Sequence, residues 1–270
     1  MRISIHSRQI FIVTGSNTGI GKEVAQVLYT KNAKVYLAGR SEQKYLTAME
    51  TMKKAAPTSI GELVFLRLDL ADLSSVKASA EEFLSKESKL DVLINNAGLQ
   101  APPQGSKSAQ GYDLQVGVNN LGPFLFTKLL TPILQQTASS QPANTVRVVW
   151  LSSAAAELNS HRPGGIDLDN LDYQVEKPPM IQYSISKAGS YLQATEYAKR
   201  VKPHGIVSVP INPGNITSEL QRHLPTSFKL MTRPMLRPTK YGAYTELFAA
   251  LSPEVTLEKT GQRGKAPPPY

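Results

Sequence analysis

The chain has 270 residues, of which 41% are hydrophobic, so it is long enough to form one large domain with a substantial core. It contains no cysteine, which excludes disulfides, thiolate metal sites and a cysteine nucleophile, and its four histidines show no metal-ligand spacing. The net charge of +9 is concentrated in residues 199–240, which hold eight Lys or Arg and one acid; without regular aromatic interleaving, this argues against nucleic-acid binding. The basic segment has two open interpretations, a solvated positive face or attraction of phosphates and an anionic substrate.

Strand-like and helix-like patterns alternate along the whole chain, with no linker, repeat or low-complexity block between them. This alternation predicts a single α/β domain, 1–270, in which a doubly wound parallel sheet carries helices on both faces. The predicted strands span 9–13, 34–38, 62–67, 90–94, 145–151 and 205–210. No apolar run is long enough to span a membrane, and the short run after the basic N-terminus leads into the first strand, so we expect a cytoplasmic protein.

The first predicted strand is followed by a glycine-rich turn and then by a helical pattern. The turn reads Thr14-Gly15-Ser16-Asn17-Thr18-Gly19-Ile20-Gly21, which has the spacing G-x-x-x-G-x-G. Glycine permits positive φ and close backbone approach, and the N-terminus of a helix offers free N–H groups to a pyrophosphate. Strand, glycine turn and helix together favour a dinucleotide-binding site over an ordinary βα turn.

The second predicted strand ends in Gly39-Arg40, and no acidic residue occurs between Ala33 and Ser41. Sites that prefer NAD usually place Asp or Glu here to bind the ribose 2′-hydroxyl. The Arg40 guanidinium can instead pair with a 2′-phosphate, which favours NADP(H). The alternative is a surface arginine that flanks a helix.

Further polar motifs follow the later strands. They are Asn95-Asn96-Ala97-Gly98, Asn119 in Val118-Asn119-Asn120-Leu121-Gly122, Ser152-Ser153 and Asn212-Pro213-Gly214. Tyr183 and Lys187 are four residues apart, so on a helix they share a face and can meet the same ligand. We expect the nearby cation to lower the pKa of Tyr183 from its usual value of about 10, which suits a general acid or base.

In this order, the motifs resemble those of the short-chain dehydrogenase/reductase family, from about Gln9 to about Pro253. The Asn-x-Leu-Gly-x-Phe form at Asn119 and the long stretch between Ser153 and Tyr183 are most similar to the retinol-dehydrogenase-like branch and its filamentous-fungal members. The resemblance implies a Rossmann-like fold and an NADP(H)-dependent oxidoreductase that interconverts a carbonyl and an alcohol on a small, fairly apolar molecule. It also points to fungal secondary metabolism; no metal is implied, and a homo-oligomer is left open.

The resemblance further implies the role of each catalytic residue. Tyr183 would exchange a proton with the substrate oxygen, and Ser153, with Ser152 as the alternative, would hold that oxygen. Lys187 would bind the nicotinamide ribose and shift the pKa of Tyr183. Asn119 would hold a water that links Lys187 to solvent, or would instead kink or cap a helix.

The cofactor-binding residues and a substrate lid are implied in the same way. Asp69 would contact the adenine ring, with an N-cap-like role as the alternative. Residues 199–240 would form the lid. The full set expected at the cofactor is Gly15, Ser16, Asn17, Gly19, Ile20, Gly21, Arg40, Asp69, Asn96, Tyr183, Lys187, Ile216 and Ser218.

The C-terminal segment departs from the family pattern. Members continue into a seventh strand beside the sixth, but residues 258–270 have three prolines, several charges and no β-branched run, so we expect an irregular tail in its place. Pro210 cannot donate to a β-ladder, which suits an edge strand. We therefore expect the sixth strand around Val207–Val209 to form an exposed edge with unpaired N–H and C=O groups. The missing strand also supports a second hypothesis, a truncated, non-catalytic dinucleotide-binding protein.

Overall fold

The computed structural model describes residues 9–160, 164–217, 219–223 and 226–262. Its strands form one parallel sheet in the order β3-β2-β1-β4-β5-β6. They are β1 (Ile10–Thr14), β2 (Lys34–Gly39), β3 (Glu62–Arg67), β4 (Val92–Asn95), β5 (Arg147–Leu151) and β6 (Val207–Ile211). The predicted α/β fold is confirmed, and each strand lies within two residues of its predicted position.

Helices connect the strands on both faces of the sheet. The α-helices are α1 (Gly19–Thr30), α2 (Glu42–Ala55), α3 (Leu73–Lys86), α4 (Leu114–Val116), α5 (Gly122–Ser140), α6 (Ala155–Leu158), α7 (Pro179–Val201), α8 (Thr226–Thr232) and α9 (Thr239–Leu251). Among the described residues, no helix combines the length and the apolar character that crossing a membrane requires.

Two apolar cores lie on opposite faces of the sheet. One joins α1, α2 and α9 to side chains such as Phe11 and Val149, while the other joins α3, α5 and α7 to side chains such as Ile12 and Trp150. Because successive side chains of a strand point to opposite faces, every central strand contributes to both cores. Strand β1 pairs with both β2 and β4, so the strand order reverses there, and a ligand crevice is expected outside the carboxyl ends of these strands.

Strand β6 is the edge strand, as expected from Pro210, but backbone groups on its outer side have hydrogen-bond partners. The Thr260 hydroxyl accepts a hydrogen bond from the Ser208 N–H (2.9 Å), and the Gly261 N–H donates to the Ser208 carbonyl (2.8 Å). Pro210 faces the same side as Ser208 and has no N–H to satisfy. The expectation of unpaired backbone groups is therefore wrong at Ser208. As far as Gln262 the tail supplies these bonds without forming a strand, and the rest of 258–270 lies outside the described residues.

The expectation that all of 199–240 forms a lid is also wrong. This segment includes the end of α7 and the whole of β6, both of which are parts of the sheet scaffold. Beyond β6, the Thr217 N–H donates to the Arg237 carbonyl (2.9 Å), and the Arg237 N–H donates to the Asn215 carbonyl (2.8 Å). These bonds join the two ends of an excursion that includes α8. The lid role of the residues after Ile211 stays a prediction.

Candidate active site

A cavity of about 440 Å³ lies at the carboxyl ends of the central strands. The crevice expected from the strand order is thus present. Most of the residues singled out from the sequence line it, namely Gly15, Asn17, Gly19, Ile20, Arg40, Asp69, Asn96, Ser153, Tyr183, Lys187 and Ile216. Tertiary folding therefore brings together motifs that are up to two hundred residues apart in the chain.

The glycine turn forms one wall of this cavity and fits a dinucleotide pyrophosphate. Gly15 has φ +68°, and a Cβ there would lie only 2.9 Å from the Ala97 Cα, so a larger residue would close the turn against β4. Helix α1 begins at Gly19 with no acidic residue in its first turn, and the side chain of its N-cap, Thr18, does not cap it. The N–H groups at this helix start are thus left for an anion.

Two other residues of the turn hold it in place from beneath. Ser16 is fully buried, and its hydroxyl donates to the Val13 carbonyl (2.8 Å). Gly21 is packed so closely that an added Cβ would lie 2.5 Å from the Asn96 amide nitrogen. The Ser16 hydroxyl and the absence of a side chain at Gly21 therefore both serve the shape of the turn. Ser218, also expected at the cofactor, lies outside the described residues.

Arg40 is exposed at the end of β2 and lines the cavity together with Ser41, Lys44 and Tyr45. Sequence reasoning missed the last three. Their place in the chain could have identified them, because the start of the helix after the second strand lies next to the ribose end of such a site. The Tyr45 hydroxyl donates to the Ala38 carbonyl (2.8 Å), which fixes its ring under the loop that carries Arg40. Lys44 adds a second cation to this part of the cavity.

The sequence left two roles open for Asp69, a place at the cofactor and an N-cap-like role. In the structure, the neighbouring Asp72 takes the N-cap role. The Asp69 carboxylate accepts a hydrogen bond from the Ala71 N–H (2.9 Å), which closes a tight turn, and the residue lines the cavity. Asp72 is the N-cap of α3, because its side chain accepts from the Ser74 N–H (3.0 Å). Asp69 is thus free of the capping role and remains at the cavity wall.

Asn96 fastens the end of β4 to the glycine turn. Its amide donates to the carbonyls of Thr14 (2.7 Å) and Gly15 (3.3 Å). Next to it, Gly98 marks where two polar side chains converge: an added Cβ would lie 3.1 Å from Asn119 Oδ1 and 3.3 Å from Lys187 Nζ. Only glycine leaves this space open, a requirement that the sequence motif did not reveal by itself.

Asn119 lies in a π-helical segment, Gly117–Leu121, between α4 and α5. Its side-chain oxygen accepts from the Leu99 N–H (2.9 Å), and its amide donates to the Leu99 carbonyl (3.0 Å) and to the Ser186 hydroxyl (2.9 Å). Short π-helical insertions are frequent at functional sites. The two roles considered for Asn119 are thus compatible, since it belongs to an irregular helix and also lies beside the Lys187 amine.

The two serines after β5 have different surroundings. Ser152 is buried, and its hydroxyl donates to the Lys187 carbonyl (2.7 Å), which ties β5 to α7. The Ser153 hydroxyl lies at the cavity near the Tyr183 phenol and acts to lower the pKa of that phenol. The geometry therefore favours Ser153 over Ser152 as the group that meets a substrate oxygen.

The expected lowering of the Tyr183 pKa is wrong for this structure. Burial raises the pKa of Tyr183 to about 12, and the Ser153 hydrogen bond opposes this only in part. The reason is geometric: Lys187 Nζ donates to the Leu151 carbonyl (2.8 Å) and lies 5.9 Å from the centre of the Tyr183 ring. Burial also lowers the pKa of Lys187 to about 8. The tyrosine therefore holds its proton at neutral pH, while the lysine titrates not far above it.

The described residues contain no group of three or more His, Asp or Glu side chains that could hold a metal ion. The cavity presents hydroxyl, amide and amine groups together with apolar side chains such as Leu99, Leu151 and Leu220. This donor set fits an organic cofactor and a partly apolar substrate.

Known proteins match both the sequence and the fold. A family model described as short chain dehydrogenase matches residues 9–163. A short-chain dehydrogenase/reductase of Phomopsis amygdali is 49% identical over 253 residues, which cover 93% of this chain and 75% of the relative. One of Neocamarosporium betae is 50% identical over 258 residues, 94% of this chain and 75% of that protein.

Solved structures agree on the fold. An NADPH-bound carbonyl reductase from chicken fatty liver superposes with a TM-score of 0.70 at 21% identity and covers 95% of both chains. The Pseudomonas aeruginosa RhlG/NADP active-site complex gives a TM-score of 0.71 at 21% identity, with 92% of each chain covered. At such identities the likeness concerns the fold alone.

Proposed function

The chain belongs to the short-chain dehydrogenase/reductase family, and from this membership we propose that it uses NADP(H) to interconvert a carbonyl and an alcohol on a small, fairly apolar molecule. The family resemblance read from the motifs is thereby confirmed, and with it the class of enzyme, an oxidoreductase with a nicotinamide cofactor. The closer likeness to the retinol-dehydrogenase-like branch stays a prediction.

One observation carries the proposal: the Tyr183 phenol and the Ser153 hydroxyl lie together on the wall of the cavity that also contains Lys187 and the glycine turn. A substrate oxygen placed between the two hydroxyls would receive a hydrogen bond from each. A general acid must reach the oxygen it protonates and hold its proton at the working pH. Tyr183 is placed for the first condition because it lines the cavity, and it meets the second because its pKa is raised to about 12.

In the reductive direction, the bound dinucleotide would supply a hydride to the carbonyl carbon. Tyr183 would give its proton to the carbonyl oxygen, so that the Tyr183 O–H bond breaks as the alcohol O–H bond forms. Ser153 would hold the oxygen while negative charge develops on it. Lys187, with Asn119 beside it, would return a proton to the resulting phenolate.

The preference for NADP(H) rests on Arg40 and Lys44. Both line the cavity at the end of β2, where no acid is present to bind a ribose 2′-hydroxyl. A 2′-phosphate would gain charge-assisted hydrogen bonds there, and we expect NADPH to bind more tightly than NADH by about 1–3 kcal/mol.

A substrate of apolar character is supported by the leucines around the reactive groups, and a role in fungal secondary metabolism by the high identity to fungal relatives. The cytoplasmic location and a homo-oligomeric state stay predictions. The alternative of a non-catalytic dinucleotide-binding protein is not favoured, since Ser153, Tyr183 and Lys187 all lie at the cavity wall.

The test is a screen of the purified protein for oxidation of NADPH and NADH in the presence of a panel of aldehydes and ketones that differ in size and polarity. We expect turnover with apolar carbonyls and a preference for NADPH. Arg40→Asp should reverse or abolish that preference. Arg200→Asp makes the same charge change at an exposed position near the end of α7, outside the cavity-lining residues, and should leave it intact. Equal affinities of the wild-type protein for the two cofactors would contradict the NADP(H) assignment.

A further inference from the structure

Helix α9 carries a buried acid that the proposed reaction does not use. Glu246 is fully buried, and neither of its carboxyl oxygens has a hydrogen-bond partner within the part of the chain that the structure describes. Its helical neighbours Leu247, Phe248, Ala249 and Ala250 are apolar. A buried carboxyl without partners is costly to keep, and such groups occur mostly where function needs them.

The start of α9 lies at the cavity. Gly242 is so close to two cavity residues that an added Cβ would lie 2.7 Å from Ile20 Cδ1 and 3.1 Å from Ile216 Cγ1. Glu246 follows four residues later and therefore lies on the same face of the helix. Because helical side chains lean toward the N-terminus of their helix, its carboxyl is directed toward the cavity end of the sheet.

Lys187 reaches the same region from the opposite face of the sheet. Its amine donates to the Leu151 carbonyl at the end of β5 (2.8 Å), and the Leu151 side chain packs against the core that contains Ala243 and Leu247 of α9. Lys187 and Glu246 are both buried, and the charge of each acts on the pKa of the other.

Other titratable groups on the elements packed against α9 are few. They are Lys22, Glu23 and Tyr29 on α1 and Arg147 on β5, while β4 and β6 carry none. Arg147 lies at the other end of β5, where the carbonyls of Ala249 and Ser252 accept its guanidinium N–H groups. Lys187 is thus the cation that acts on the Glu246 carboxyl.

We propose that Glu246 is a positioning residue for proton transfer, whose buried carboxylate keeps Lys187 in its ammonium form and so keeps Lys187 able to return a proton toward Tyr183. The inference rests on the proposed function, because it assigns Glu246 a part in the same reaction. Glu246 acts through Lys187 and does not itself touch the reacting atoms.

The two titrations support this arrangement. Burial raises the pKa of Glu246 to about 8 and lowers the pKa of Lys187 to about 8, and in each case the partner's charge opposes the shift. As the pH rises through this range, the Glu246 carboxylate forms and stabilises the Lys187 ammonium at the pH where Lys187 would otherwise lose its proton.

The first test is the pH dependence of carbonyl reduction by Glu246→Gln, which removes the charge but keeps the size. We expect the alkaline limb of the kcat profile to move to lower pH by about one unit, with little change near pH 6. Glu246→Asp, which retains a carboxylate, should return the limb toward its original position. Thr245→Val, at the neighbouring position, removes a hydroxyl but no charge and should leave the limb in place.

The second test measures stability and does not depend on turnover. The folded-state pKa of Glu246, about 8, is raised above its ordinary value of 4.5, so the folded state holds the proton more tightly than the unfolded state. The group therefore destabilises the fold increasingly as pH rises from about 4.5 to about 8. The Tm of Glu246→Gln should exceed that of the wild-type protein by an amount that is small near pH 5 and largest above pH 8.

The outcomes separate this inference from the proposed function. An active enzyme whose alkaline limb does not respond to Glu246→Gln overturns the inference alone, and so does a Tm difference that stays constant between pH 5 and pH 8. A wild-type protein that turns over no carbonyl with either cofactor overturns the proposed function and, with it, the role assigned to Glu246.

Discussion

The two ends of strand β5 each hold a buried cation, but in opposite surroundings. At the amino end, the Arg147 guanidinium donates to the carbonyls of Asn144, Ala249 and Ser252 at 2.8–2.9 Å. At the carboxyl end, the Lys187 amine donates to the Leu151 carbonyl and acts on the pKa of the Glu246 carboxyl, which has no hydrogen-bond partner among the described residues.

The difference in partners separates a structural charge from a functional one. Burial lowers the pKa of Arg147 only to about 10, so it stays charged at neutral pH and holds the end of α9 against the sheet. Burial lowers the pKa of Lys187 to about 8, close to the pH at which an enzyme works. Satisfied polar groups stabilise a fold, whereas groups left under-paired at a cavity are available for chemistry.

The largest effect is expected on turnover, at the carboxyl end of β5. Tyr183→Phe keeps the ring but removes the transferable proton, so turnover should fall by about 10²–10⁴, the usual contribution of general acid–base catalysis. Melting temperature and NADPH affinity should change little. Tyr197→Phe is the matched control, because this tyrosine lies on the same helix but bonds Thr131 (3.0 Å) away from the cavity-lining residues. Normal turnover in Tyr183→Phe would mean that the proton comes from another group.

At the amino end of β5, a substitution should reduce stability and leave turnover unchanged. Arg147→Met removes the donor to three carbonyls and should lower the free energy of unfolding by about 3–5 kcal/mol, because buried acceptors are left without partners. Arg200→Met is the control: this exposed arginine pairs with Glu196 across one helical turn, so its loss should cost less than about 0.5 kcal/mol. Urea denaturation measures both, and a small loss in Arg147→Met would contradict the structural role.

A substitution in the glycine turn tests how tightly the chain is packed at the carboxyl ends of the central strands. Gly15→Ala combines a positive φ with a contact of 2.9 Å to the Ala97 Cα and should lower stability by about 2–4 kcal/mol and weaken cofactor binding. Gly105 also has a positive φ (+77°), but an added Cβ would meet nothing within 4 Å. Gly105→Ala should therefore cost only about 1 kcal/mol. Equal losses would show that the close approach to β4 is unimportant.

The smallest effect is expected at the β6 edge. Thr260→Val removes the hydroxyl that bonds the Ser208 backbone, so the Ser208 amide should exchange its hydrogen faster and stability should fall by about 1 kcal/mol. The buried Thr256 hydroxyl has no partner among the described residues, so Thr256→Val should be neutral or stabilising. If the Ser208 amide exchanges equally fast in wild type and Thr260→Val, the tail does not protect this edge.

Much of the fold and of the site could be predicted because their signals are local. The strand positions follow from short apolar runs, and the dinucleotide wall follows from a turn whose glycines are required by backbone geometry within a few residues. Tyr183 and Lys187 were found because helical spacing alone places them on one face. Family motifs then added Asn119 and Ser153, which spacing alone could not single out.

What the sequence determined by itself is therefore the order of strands and helices, the glycine turn, the Tyr183–Lys187 pair and the family. Only the tertiary structure decided the directions of the pKa shifts, because burial and the position of the Lys187 amine on Leu151 depend on how α7 packs against β5. It also decided the protection of Ser208 by Thr260 and the approach of Glu246 to the site, which join residues more than fifty positions apart. No periodicity in the sequence predicts such contacts, because they depend on how whole helices and strands pack. They also depend on which polar groups become buried and lose their contact with water.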